Sequence, residues 1–190
     1  MTTAVAIEGR VEADADLAEL VAAARAGDRA SLEALLESIE RRVYGFAWRL
    51  TGNRAAAEDV TQEALLKVCR RLEQYRGGSF AGWVYRIVVR QAHDHRRAAG
   101  PVAEALGEIA VAGVDAVRQE QWRRVEGALA VLTEKERRAL VLTEMEGFTS
   151  VEAARILGCL AVTVRVRAAQ ARRKLRRALS RCYPELREGL

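Results

Sequence analysis

Proline is almost missing from these 190 residues, with only Pro101 and Pro184 present. Lysine is nearly as scarce: Lys67, Lys135 and Lys174 are the only ones among 31 basic residues. With alanine also abundant, the choice of arginine over lysine at any one position carries little information, but the places where arginines cluster carry more. Cys69, Cys159 and Cys182 are odd in number and far apart. Their spacing fits neither a disulfide framework nor a zinc site, so reduced, mostly buried thiols are expected. No uninterrupted apolar run approaches membrane-spanning length. The start, MTTAVAIEGRVEADAD, has no basic segment followed by an apolar core, so a secretory signal is not expected and the location predicted is cytoplasmic.

Catalytic sets are missing too. His93 and His95 stand two apart on a predicted helix and point about 200° away from each other, so they cannot share a metal. GGS at 77–79 lacks the flanking strand of a phosphate loop. No nucleophile–base–acid set has convincing spacing. We therefore expect no enzyme, no metal site and no cofactor.

Helical spacing is present nearly everywhere, while β-branched alternation is scarce, so the chain reads as all-α. Gly27 and Asp28 end one helix and cap the next. Thr51–Asn53 breaks the second, and Tyr75–Ser79 is a loop between a helix over about 54–72 and another over about 80–98. Ala98–Ala116 holds three glycines, a proline and no basic residue, and reads as a linker. Beyond it Trp122, Val125, Leu129 and Leu132 share a face. Thr133 with Glu136, and Thr149 with Glu152, form two capping boxes. Gly147 and Gly158 stand where those helices should stop. A helix of about a dozen residues, a short helix, a tight turn and a basic helix make a helix-turn-helix layout.

Charge is distributed unevenly. Residues 1–40 carry 3 basic and 9 acidic groups, residues 41–100 carry 12 and 5, residues 101–133 carry 3 and 5, and residues 134–190 carry 13 and 7. Two basic blocks separated by an acidic stretch suggest two anion-binding surfaces.

In the basic helix, Val164, Ala168, Ala171, Leu175, Ala178 and Leu179 form one stripe about 100° wide. Every basic residue from Arg165 to Arg181 falls outside it, and no acid lies between Arg155 and Glu185. A solubilising face usually alternates sign to gain i,i+4 pairs. This one does not, and phosphates would relieve its self-repulsion. Arg165 and Arg167 are placed to reach guanine or phosphate, Arg172, Arg173 and Lys174 to grip phosphate, and Val166 and Gln170 to face base edges.

In the first basic block, Tyr75, Phe80, Trp83 and Tyr85 interleave with Arg76, Arg86, Arg90, Arg96 and Arg97. Aromatic faces beside a cationic groove stack unpaired bases. Core packing is the competing role, favoured for Phe80 and evenly balanced for Trp83. In the preceding helix Leu66 projects opposite the buried stripe, beside Asp59, Gln62, Glu63 and Arg70, and suggests a protein-docking spot.

AEDVTQEALLKV, YRGGSFAGWVYRIVVRQAHDHRR, LTEKERRALVLTEMEGFTSVEAARILG and TVRVRAAQARRKL, in this order and spacing, resemble a bacterial sigma factor of the extracytoplasmic-function (ECF) group in the sigma-70 superfamily. The resemblance implies two small helical domains joined by a flexible linker. A flexible N-terminus would span 1–16, sigma region 2 would span 17–98, the linker 99–117, region 4 118–180 and a short tail 181–190.

It also implies partners. Core RNA polymerase would be bound through its β′ clamp helices and β subunit, promoter DNA as duplex and as melted non-template strand, and an anti-sigma factor would hold the chain inactive. Asp59, Gln62, Glu63, Leu66 and Arg70 would meet the clamp helices. Tyr75, Arg76, Ser79, Trp83, Arg86, Arg90 and Arg97 would engage the −10 element. Thr163, Arg165, Val166, Arg167, Gln170, Arg172, Arg173 and Lys174 would meet the −35 element. Leu160, Val162, Ala168, Ala169 and Gln170 depart from the family's usual turn and recognition helix, which leaves the −35 preference open. The competing reading, a stand-alone helix-turn-helix regulator, needs only the C-terminal unit and leaves Tyr75–Arg97 unexplained.

Overall fold

The computed structural model describes residues 17–99, 127 and 129–182, and among these the only regular structure is helical. Helix α1 covers 17–25. Gly27, at φ 95°, turns the chain, and the Asp28 carboxylate accepts from the backbone N–H groups of Ala30 and Ser31 to start α2 (Arg29–Thr51). Gly52, at φ 66°, ends α2, and the Asn53 side chain, accepting from the Ala56 N–H, caps α3 (Arg54–Arg71). A short 3₁₀ turn, Leu72–Gln74, follows. Gly77 and Gly78, at φ 90° and 88°, make the loop before α4 (Phe80–Ala99). These breaks and caps fall where the sequence places them. Residues 100–117 of the expected linker, Trp122, Val125 and residues 183–190 of the expected tail lie outside the described residues, as do 1–16, while Ala98 and Ala99 close α4.

Helices α1 to α4 bury Val21, Leu35, Ile39, Val43, Phe46, Val60, Val68, Val84 and Val88 in one core. In the second unit residues 127, 129 and 130 are helical, and α5 (Glu134–Leu140) follows and runs on into a π-helical turn, Val141–Met145. Then come α6 (Ser150–Leu157) and α7 (Ala161–Cys182). Both expected capping boxes are present: Thr133 with Glu136, and Thr149 with Glu152, each bonded reciprocally. Leu129, Leu132, Leu140 and Ala171 pack together, with half-buried Leu175 against them.

The two units share a core. Leu142, Phe148, Ile156, Val164 and Ala168 are continuous with the apolar residues of α1 to α4. Tyr85 of α4 sits at the junction. Its ring stacks on Phe46 at 4.4 Å and meets Phe148 edge-on at 5.4 Å. Its hydroxyl donates to Glu146 at 2.6 Å, and Arg49 pairs with the same carboxylate. Burial and then the neighbouring Glu146 charge push the Tyr85 phenol well up from its ordinary pKa, so it remains a donor. Arg137 donates to the Leu50 carbonyl at 3.3 Å and to the Leu129 carbonyl at 2.9 Å, and Arg96 pairs with Glu134.

Candidate nucleic-acid interface

The helix-turn-helix is built from α6, a turn and α7. Gly158, at φ 65°, gives the left-handed step that stops α6, and its N–H bonds back to the Ala154 carbonyl. Leu160 follows, 71% exposed, with its carbonyl accepting from Val164. The apolar stripe of α7 lies as expected: Val164, Ala168 and Ala171 are buried, and Leu175, Ala178 and Leu179 are half-buried. Arg165, Val166, Gln170, Arg172 and Arg173 are exposed, while Thr163, Arg167 and Lys174 are half-buried. Val162 and Val166, one turn apart, stand half-exposed beside the arginines.

Two cations of α7 do not match the expectation of free phosphate grips. Lys174 binds the Glu136 carboxylate at 2.8 Å, fastening α7 to the capping box of α5. Burial raises the Glu136 carboxyl, but Lys174 and the Thr133 backbone and hydroxyl outweigh it, and its pKa lies below the ordinary carboxylate value. Arg172 pairs with Glu144 at 2.6 Å across the fold. Arg167 directs Nη1 toward the Cys159 sulfur at 4.0 Å, inside the turn. These acids and this thiol lie outside α7, so no inspection of the helix alone could have revealed them. Arg165, Arg173, Arg176 and Arg177 have no carboxylate partner among the described residues.

In the first unit, Trp83, Arg86, Arg90 and Arg97 fall within about 60° on α4, a single stripe. Arg76, Arg90 and Arg97 are exposed and Arg86 is half-buried. Tyr75, expected among the aromatics that offer a face to unpaired bases, is turned inward. It is only 9% exposed, meets Phe80 edge-on at 5.4 Å and lies 5.7 Å from Trp83. Its hydroxyl donates to the Gly78 carbonyl, so the ring organises the loop from inside. Phe80 is core, as the spacing favours, and Trp83 is half-buried on the same cluster. Tyr85, grouped by sequence with the base stackers, is instead the junction residue. Ser79 is exposed, and its Oγ accepts from the Gly82 N–H at 3.1 Å at the start of α4.

On α3, Asp59, Gln62, Glu63, Leu66 and Arg70 are all exposed and share a stripe about 100° wide, with Leu66 47% exposed at its centre. Asp59 also approaches His95, at 3.5 Å. Cys69 lies exposed on the same helix, against the expectation of buried thiols, because its position falls off the Ala57–Val60–Ala64–Val68 stripe. Among the described residues no three metal-binding side chains cluster, and no helix is long and apolar enough to cross a membrane.

The chain matches the family model for sigma-70 region 2 over residues 35–101 and that for sigma-70 region 4 over residues 122–175. It is 34% identical over 167 residues to the ECF RNA polymerase sigma factor SigE of Mycolicibacterium smegmatis, covering 82% of this chain and 65% of that one. It is 30% identical over 188 residues to the RNA polymerase sigma-H factor of Pseudomonas aeruginosa, covering 90% and 96%. Its fold is similar to that of CnrH, solved in complex with the cytosolic domain of CnrY, with a TM-score of 0.68, 25% identity and coverage of 88% and 97%. The region 2 match accounts for the half of the chain that a stand-alone regulator would leave idle. Two cationic helical units in this order, matched along nearly their whole length by relatives of one kind, make this chain a member of the ECF group of sigma-70 factors, an alternative sigma factor with a region 2 and a region 4.

Proposed function

We propose that the chain works by dividing promoter recognition between its two units while RNA polymerase supplies the chemistry. The α3 stripe centred on Leu66 docks the β′ clamp helices, with Asp59, Glu63 and Arg70 setting orientation around an apolar centre. The α4 stripe of Trp83, Arg86, Arg90 and Arg97, with Arg76 and Ser79 of the loop, holds the −10 region and the peeled non-template strand. Tyr75 braces the loop from beneath. The exposed side of α7 enters the major groove of the −35 element, with Arg165, Arg167 and Gln170 at base edges and Arg173 on phosphate.

One observation carries this reading: two separate cationic helix faces sit on units matched to region 2 and region 4, and α4 also carries aromatic surface. A duplex reader does not need that surface, whereas a strand holder does. The two promoter elements lie apart along DNA, so the units must separate on loading and break the Tyr85–Glu146–Arg49 junction. An anti-sigma factor would act by opposing that separation.

The test is reconstitution. Purified chain and core polymerase on genomic fragments should yield transcripts starting at discrete promoters, and sequencing their 5′ ends should return shared −35 and −10 motifs. Core polymerase without the chain giving the same starts, or no starts with it, would overturn the reading.

A further inference from the structure

A cleft of about 620 Å³ opens where α4 meets α6. Its charged lining is Arg86, Arg90, His93 and Asp94 from α4, Arg138 from α5 and Arg155 from α6. The volume is that of a small-molecule site. Arg138 is held by Glu134, and Asp94 stands 3.7 Å from His93. Arg86, Arg90 and Arg155 have no carboxylate partner among the described residues. The Arg86 Nε is buried and makes no hydrogen bond among the described residues. Three guanidiniums facing one carboxylate leave an excess of about two positive charges, a field that favours a polyanion. Guanidinium groups bind phosphate oxygens in pairs. Among the described residues no Phe, Tyr or Trp lines the cleft, so recognition would fall on phosphate and not on a base.

We infer that the cleft is a site for a small polyphosphate, whether an inorganic chain or the triphosphate of a nucleotide, which bridges α4 and α6 and holds the two units together. Arg86 and Arg90 would grip it from one side and Arg155 from the other. Binding stands on the described arrangement of the units. Its consequence for initiation, competition with the −10 strand for Arg86 and Arg90, rests on the function proposed above.

Calorimetric titration of the full-length chain with inorganic tripolyphosphate, and separately with ATP, tests this. One saturable site is expected, weakened about tenfold or more by Arg155→Ala and by Arg90→Ala, as loss of a charge-assisted contact predicts. The double variant Arg176→Ala/Arg177→Ala, on the exposed face of α7 and outside the cleft, should bind like the parent. Tighter binding of ATP would name the nucleotide as the source, and tighter binding of tripolyphosphate the inorganic chain. Absence of a saturable site, or equal weakening by the α7 double variant, would overturn the inference. Neither result touches the transcription test, so the two readings fail separately.

Discussion

Lys174 shows how one side chain can belong to a different task from its neighbours. Its ammonium closes on Glu136, whose carboxylate also receives the Thr133 N–H and hydroxyl. Lys174→Ala should lower stability by about 1–3 kcal/mol, because a nearly buried carboxylate loses its cation. Arg173→Ala, on an exposed residue, should leave the melting temperature unchanged and weaken DNA binding. Since the Glu136 pKa is depressed on folding, its stabilisation is full above the ordinary carboxylate value of 4.5 and is lost as pH falls below that toward the folded pKa. Melts of the parent between about pH 3 and 6 should therefore decline more steeply than those of Glu136→Gln. Arg167 gives the contrasting case. Replacement by Ala should cost about 1–3 kcal/mol at the preferred −35 sequence and relax the preference there if the guanidinium reads a base. Binding assays on altered sites check this, and an equal loss on every sequence would move Arg167 to the phosphate contacts.

Among the elements, α3 presents the clearest separation of faces. Its inner stripe is alanine and valine, and its outer stripe holds Leu66 amid charge. Leu66→Asp removes no core packing, so circular dichroism and the melting curve should match the parent while affinity for core polymerase falls about tenfold or more. Native gel shift of the assembled holoenzyme reads the loss. The helices themselves were legible from short-range chemistry: Thr133–Glu136 and Thr149–Glu152 announced two starts, and Gly52 and Gly158 two stops. The face of α7 was legible for the same reason, since periodicity is a local property. Partners across long sequence separations were not. Glu144 and Glu136 neutralise Arg172 and Lys174 from 28 and 38 residues away. Tyr75 and Tyr85 looked alike as aromatics beside arginines, and only tertiary packing tells that both are buried. The π-helical turn was equally hidden, because nothing in VLTEM distinguishes it from an ordinary continuation of α5.

For the whole molecule, that turn matters because Glu146 follows it and meets Arg49 and Tyr85. Their side chains are only 18% and 11% exposed for Arg49 and Glu146, so removing one partner strands the other. Glu146→Ala should lower the melting temperature, with a loss of up to about 3 kcal/mol. It should also enlarge the radius of gyration in small-angle scattering and strengthen binding to promoter DNA without polymerase. Tyr85→Phe keeps the ring stack on Phe46 and deletes only the hydroxyl donor, and should produce a smaller change in the same direction.

The apolar continuity between the units has a further effect. Phe148, Leu142 and Ile156 are buried in a core shared with the first unit, so parting the units would wet them. Spread along a promoter, the chain would show water an oily flank on each half. An isolated C-terminal half would be sticky for the same reason. Whatever receives the extended chain must therefore shelter that flank as well as hold it open, which makes a grasping, greasy host a better companion than DNA alone.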